Sequence, residues 1–388
     1  MTAARGLRRR GALVLAGALA ALLATPACAE GLRGGGEVVE SEAARFRVTT
    51  FAAGLEHPWG AAFLPDGRLL VTERPGRLRL IGRDGAVSPP LSGLPAVAAA
   101  GQGGLLDVQV APDFATTREI YLCQAARIQG GNVMRLTRAR LAADGRALDT
   151  VQPLLDATPA QSGNGHYGCR IAFAPDGKVF LTSGDRQSEP ERAQRLDDLA
   201  GKLLRLERDG RPAAGNPFQG RAGVRPEIYA YGIRSPQGLV FNPATGTLFE
   251  IEMGPRGGDE VNIVRPGANF GWPVVGHGRA YSGLPIHEGS SRPDMQDPLV
   301  HWTPSISPSG AAFYEGAAFP GWRSNLFLAT LSSAGLMRLT LEGDRITGQE
   351  RLLWGQTRLR HVVAGPDGLL YLLTDESRGR VLRLEPTP

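Results

Sequence analysis

The residues best suited to chemistry lie in one stretch, SGNGHYGCRIAFAPDGKVFLTSGDR, residues 162–186. It sets His166 among glycines, alternates apolar and polar positions up to a Pro-Asp-Gly turn, and after a second apolar run ends on Gly184-Asp185. Two period-2 runs about such a turn read as a β-hairpin. In that hairpin both ends share one edge, bringing the His166 imidazole within reach of the Asp185 carboxylate. A carboxylate on one ring nitrogen fixes the tautomer and leaves the other nitrogen as a general base. On the hairpin alone the plainer reading, a surface histidine near a loop aspartate, stands ahead.

Four more loop clusters carry chemically useful groups. GQGGLLDV (101–108) sets Gln102 among glycines before a strand, and YGIRSPQGLVF (231–241) sets Arg234 and Gln237 about a Ser-Pro turn. EMGPRGGDEVNIVRPGANFGWP (252–273) joins Gly254-Pro255 to Asp259-Glu260 and an aromatic close, and TRLRHV (357–362) places Arg358 and Arg360 on one strand face. Arginine offers a rigid fork of donors suited to carboxylates, so these groups point to an anionic, planar ligand. Gly254-Pro255 beside acidic residues offers oxygens to a hard cation such as calcium. Each cluster taken singly also serves as a tight turn or a solvated strand end.

One phrase recurs along the chain and supplies the elements that gather these loops. An alternating apolar strand, a Pro-Asp-Gly type turn, a second strand and a short third strand appear at 59–81, 105–125, 169–186, 236–254, 308–341 and 359–385. Six copies spaced by roughly 45 to 70 residues mark an array of one supersecondary unit. A sheet of three or four short strands cannot bury both faces alone, and radial stacking solves this. The expected fold is therefore all-β, a six-bladed β-propeller of four-stranded antiparallel blades. A two-sheet sandwich needs neither this period nor so long a chain. Equivalent pre-strand positions then ring one channel mouth, so His166, Gln102, Arg234, Gln237, Arg358 and Arg360 converge despite their separation. The long segments 187–224 and 261–305 become loops on one face, where function resides.

Composition bounds the rest. The 388 residues include 52 Gly and 29 Pro, which favours short strands and tight turns over long helices. The net charge of +5 is scattered and almost wholly arginine, Lys178 and Lys202 being the only lysines, so it reads as compositional bias and no nucleic-acid partner is expected. Residues 1–29 read as a signal peptide: Arg8, Arg9 and Arg10 precede an apolar run, followed by Ala27-Cys28-Ala29 as a cleavage site. The arginines leave a twin-arginine route open, and Cys28 fits a lipid-attachment box badly. No other apolar run nears the roughly 18 residues of a membrane span, so a periplasmic or secreted protein is expected. Residues 30–45 read as a flexible lead-in to a propeller domain at 46–388. Export leaves Cys123 and Cys169 able to pair, which spacing does not decide.

Taken together, GQGGLLDV, GHYGCR with PDG and SGD, IRSPQGL, MGPRGGDE with NFGWP, WTPSISPSG and LRHVVAGPDGLLYLLTD resemble the soluble PQQ-dependent aldose sugar dehydrogenases, the glucose/sorbosone dehydrogenase family. The resemblance spans residues 46–384. It implies PQQ (pyrroloquinoline quinone) at the channel mouth with calcium against the quinone. His166 resembles the base that takes the hydroxyl proton at C1 of an aldose, Asp185 its orienting carboxylate, and Arg234 the group that stabilises charge on the quinone. Gln102, Arg234, Gln237, Arg358 and Arg360 resemble cofactor-binding positions, and Gly254 and Pro255 the carbonyl donors to the catalytic calcium. Glu260 with the main-chain oxygen of Phe270 resembles a second, structural calcium site. Three positions depart from the family pattern: Ser332 stands where a lysine is usual, Ser235 where an asparagine is, and Cys169 where a small residue is.

The implied activity is oxidation of aldoses at C1 to lactones, with electrons passed to an external acceptor. The residues support it independently: no side chain accepts hydride, and no dinucleotide-binding fingerprint opens a helix. The pattern C-x-x-C-H is absent, so electrons leave to a separate partner. A monomer or homodimer is expected. Two other classes fit parts of the sequence: a calcium-dependent lactonase, which needs a carboxylate ring in the channel, and a binding propeller without cofactor, which Ser332 favours.

Overall fold

The computed structural model describes residues 35–387. Six antiparallel sheets follow one another along the chain, and each of the six repeated phrases begins an innermost strand. The inner strands are Pro58–Phe63, Leu105–Val110, Gly168–Phe173, Pro236–Phe241, Pro308–Tyr314 and Leu359–Ala364, defining blades 1 to 6. Each packs against the next, and the sixth against the first, which closes the ring. The described residues form a six-bladed β-propeller with almost no helix. Blades 2 to 5 have four strands, blade 1 has three and blade 6 has five.

The turn chemistry is what the sequence implies. In the Pro-Asp-Gly turns, Asp66, Asp176 and Asp367 each accept the backbone N–H two residues on, at 3.0, 3.0 and 3.2 Å. Gly177 supplies φ 81°, which a side chain would disfavour. The second strands, among them LLVTE, VFLTS and NLFLAT, are buried along their whole length because each blade is covered on both faces. The apolar core is divided into six clusters, one per blade interface.

Ring closure corrects the expected lead-in. Gly35–Glu40 and Arg45–Leu55 are strands that pair with each other, and Arg45–Leu55 also pairs with Gly379–Pro386 to complete blade 6. Within the described residues, Gly35–Glu40 forms a strand because the edge of Arg45–Leu55 would otherwise lie open. The signal-peptide stretch 1–29 lies outside the described residues. Among the described residues no helix is long and apolar enough to cross a membrane.

All six inner strands carry a register shift at their start. A bulge there frees backbone groups and re-aims side chains. In blades 1 and 3 the freed N–H of Gly60 and Arg170 is taken by Thr72 and Thr182 of the neighbouring strand, both at 2.9 Å. Arg170, thus turned to the axis, is bonded to Asp107 of blade 2, Gln237 O of blade 4 and Ser309 O of blade 5. It also stacks on Trp59 of blade 1 at 3.9 Å. One guanidinium therefore ties most of the ring together below the mouth.

Candidate active site

The hairpin ends meet as expected. Strand Gly168–Phe173 pairs with Val179–Ser183, and His166 Nδ1 lies 2.7 Å from Asp185 Oδ1 with both residues buried. Asp185 Oδ1 also accepts the Gln187 N–H at 2.8 Å, and Oδ2 accepts Trp272 Nε1–H at 2.7 Å. Facing only donors, the carboxylate accepts a hydrogen bond from Nδ1–H, which leaves Nε2 as the ring nitrogen with the free lone pair. Close packing fixes the turn: a Cβ on Gly184 would stand 2.2 Å from the His166 carbonyl oxygen.

Arg234 joins this group through its backbone and its ring neighbour. Its carbonyl accepts the Asp185 N–H at 2.8 Å, and its guanidinium lies over Trp272 at 5.3 Å. Nη1 donates to Met253 O and Gly254 O at 2.7 and 2.9 Å, while Nε is buried without a partner among the described residues. Trp272 thus supports both the His166–Asp185 pair and the arginine. Sequence reasoning quoted it inside NFGWP without giving it a role.

Two adjoining cavities divide the remaining residues. The larger, about 300 Å³, is lined by Gln102, Gln237, Arg358 and Arg360, with Trp59, Arg74, Tyr167 and Asp375. Asp375 binds Arg358 and Arg360, each at 2.9 Å. Burial works against the Asp375 charge, but the two arginines outweigh it and hold its carboxyl below the usual range. With Arg74, which donates to Gly101 O, the cations outnumber the carboxylate and the cavity favours an anion. Arg74 and Asp375 were missed, although both sit at strand ends within the repeated phrase. Gln102 does more than line the cavity: its Oε1 accepts the His166 N–H at 2.9 Å and so ties the cavity wall to the His166 turn. Ser332 is exposed and donates to Ser305 O, while Arg358 Nη1 reaches Leu331 O at 3.3 Å, setting a cation at that strand end.

The smaller cavity gathers Gly254, Pro255, Glu260 and Phe270 with Arg234, Glu252 and Trp272. Glu252 stands opposite Glu260 on paired strands, and Glu250 opposite Asn262. Burial raises the pKa of all three glutamates, Glu252 to about 7, and repulsion from neighbouring carboxylates adds to it, from Glu252 at Glu250 and Glu260 and from Asp185 at Glu252. Outside the cavity lining, Glu250 Oε1 and Asn262 Oδ1 are buried without partners among the described residues. Orphaned oxygens among crowded carboxyls fit a hard cation. Among the described residues no three His, Cys, Asp or Glu side chains gather as a ready cage. In the larger cavity the Gln237 amide oxygen is likewise unpartnered.

An imidazole held by a carboxylate, an arginine over the neighbouring tryptophan and an arginine-lined cavity thus lie together at one mouth of the propeller. The chain belongs to the glucose/sorbosone dehydrogenase family, whose model matches residues 55–383. It is 41% identical over 337 residues to the aldose sugar dehydrogenase YliI of Escherichia coli, covering 86% of this chain and 91% of that protein. A crystal structure of a glucose dehydrogenase superposes with TM-score 0.86 at 46% identity, covering 88% of this chain and 99% of the other. The PQQ-bound aldose sugar dehydrogenase of Streptomyces coelicolor superposes with TM-score 0.73 at 31% identity, covering 88% and 98%. The protein is thus an oxidoreductase of the sugar dehydrogenase type.

Proposed function

We propose that this protein oxidises aldose sugars at C1 to lactones with PQQ and calcium, and passes the electrons to an external acceptor. The observation that carries the reading is the convergence of His166, Asp185, Trp272 and Arg234 beside an arginine-lined cavity. PQQ bound in that cavity supplies the hydride acceptor that no side chain provides. Arg74, Arg358 and Arg360 would hold its carboxylates, and Gln102 and Gln237 its remaining polar edge. Gly254 and Pro255 would give carbonyl oxygens to the catalytic calcium, with Glu260 and Phe270 at a second site.

His166 Nε2 takes the proton from the C1 hydroxyl, and Asp185 holds the imidazole in the tautomer that can do so. Trp272 keeps Asp185 in place and lies under the Arg234 guanidinium. Arg234 stabilises the negative charge that develops across from the base. The Cys123–Cys169 disulfide fits export of the mature chain to the periplasm or beyond. A lactonase would need a ring of carboxylates at the axis, where here Asp107 is paired with Arg170.

The test is reconstitution of the purified chain with PQQ and calcium and measurement of dye reduction by aldoses. Turnover that disappears in His166→Ala and on chelation supports the proposal. Failure to take up PQQ, or lactone hydrolysis without it, refutes it.

A further inference from the structure

The turn that carries the base runs in a conformation that side-chain-bearing residues rarely adopt. His166 has φ 37°, Gly168 69° and Cys169 82°. Left-handed residues other than glycine persist only where their surroundings over-determine them. On the side facing its own blade, the turn is held by Gly184 N–H to Tyr167 O at 3.1 Å and Arg186 N–H to His166 O at 3.3 Å. On the side facing blade 2 it is held by Gln102 and by one covalent bond. Cys169 is joined to Cys123 on Glu119–Ile128, the second strand of blade 2, with Cα atoms 5.6 Å apart. Both cysteines are fully enclosed in the apolar cluster between blades 2 and 3, beside Leu106, Ala125 and Tyr167. Cys169 stands within the register shift of its strand, next to Arg170, which is turned to the axis.

Resting on the assignment of His166 as the base, we propose that the Cys123–Cys169 disulfide is a positioning cross-link for turnover, beyond any effect on stability. It pins the left-handed Cys169, three residues from His166, so that the imidazole keeps its contact with Asp185. Closing it transfers two electrons and two thiol hydrogens to a disulfide oxidant, which is reduced to two thiols, so full activity requires an oxidising compartment. Without the bond, Cys169 relaxes toward negative φ, and the turn and the base move with it.

The experiment compares the native protein with Cys123→Ala, Cys123→Ala/Cys169→Gly and His166→Ala. Two readouts are taken: kcat and KM for an aldose after loading with PQQ and calcium, and the downfield proton NMR signal of the His166 Nδ1–H bond in cofactor-free protein. Cys123→Ala is expected to lower kcat about tenfold or more with KM little changed, and to shift or broaden that signal. Cys123→Ala/Cys169→Gly recovers most of kcat, because glycine takes positive φ without strain. A Cys123→Ala protein that melts earlier yet keeps kcat and the NMR signal overturns the proposal. Should that variant not fold, the native chain made with free thiols must gain kcat on oxidation, and no gain also overturns it. Turnover surviving in His166→Ala refutes the base assignment instead, and the NMR signal then judges the cross-link alone.

Discussion

Stripping divalent cations from the protein should make its stability fall as pH rises, through the buried glutamates of blade 4. An exposed glutamate ionises near 4.5, whereas burial pushes Glu252 up to about 7, with Glu250 and Glu260 also raised. Between those values the folded, cation-free chain keeps a proton that the unfolded chain has released. The native state then binds more protons, so the free energy of unfolding declines with increasing pH. For Glu252 alone the decline is roughly 3 kcal/mol between pH 5 and 8. In a chain of this size that corresponds to about 4 °C in Tm. A cation on the ionised cluster removes the penalty, so calcium should raise Tm more at pH 8 than at pH 5. Calorimetry across that range, in chelator and in calcium, reads both slopes, and Glu252→Gln should flatten the first. A Tm in chelator that is level from pH 5 to 8, or a calcium shift equal at both ends, would refute the reasoning.

Three further outcomes are expected. Trp272→Phe removes the donor to Asp185 Oδ2, a charge-assisted bond worth roughly 1.5–3 kcal/mol, and should lower kcat about 10- to 100-fold. Cofactor affinity, followed by quinone fluorescence, should stay the same because Trp272 lies outside the larger cavity. Arg170→Met leaves Asp107 buried and unpaired, at a cost of about 3–5 kcal/mol in denaturant unfolding, and adding Asp107→Asn should recover part of it. Arg358→Ala should weaken cofactor binding about tenfold and Ser332→Lys should tighten it, both without changing the kcat of saturated enzyme. Titration at two salt concentrations checks the last pair, since a charge effect shrinks with added salt.

Much of the architecture could be read from the chain itself because its determinants are local. The alternation of apolar residues, the Asp in each Pro-Asp-Gly turn and the sixfold recurrence depend on neighbours a few residues apart. His166 and Asp185 were legible for the same reason, being the two ends of one hairpin. The arginines and the Gly254-Pro255 motif were legible as types, and their convergence followed from the repeat.

Tertiary structure alone decided which groups touch across blades. Trp272 reaches Asp185 over 87 residues, and Cys123 meets Cys169 over 46. Asp375 binds the two cavity arginines, Arg170 spans the axis, and Gly35–Glu40 becomes a fifth strand of the last blade. None of these pairings leaves a periodic trace, because each exists only once the ring has closed. Closure fixes the rotation of one blade against the next, and with it the partner that each mouth residue meets.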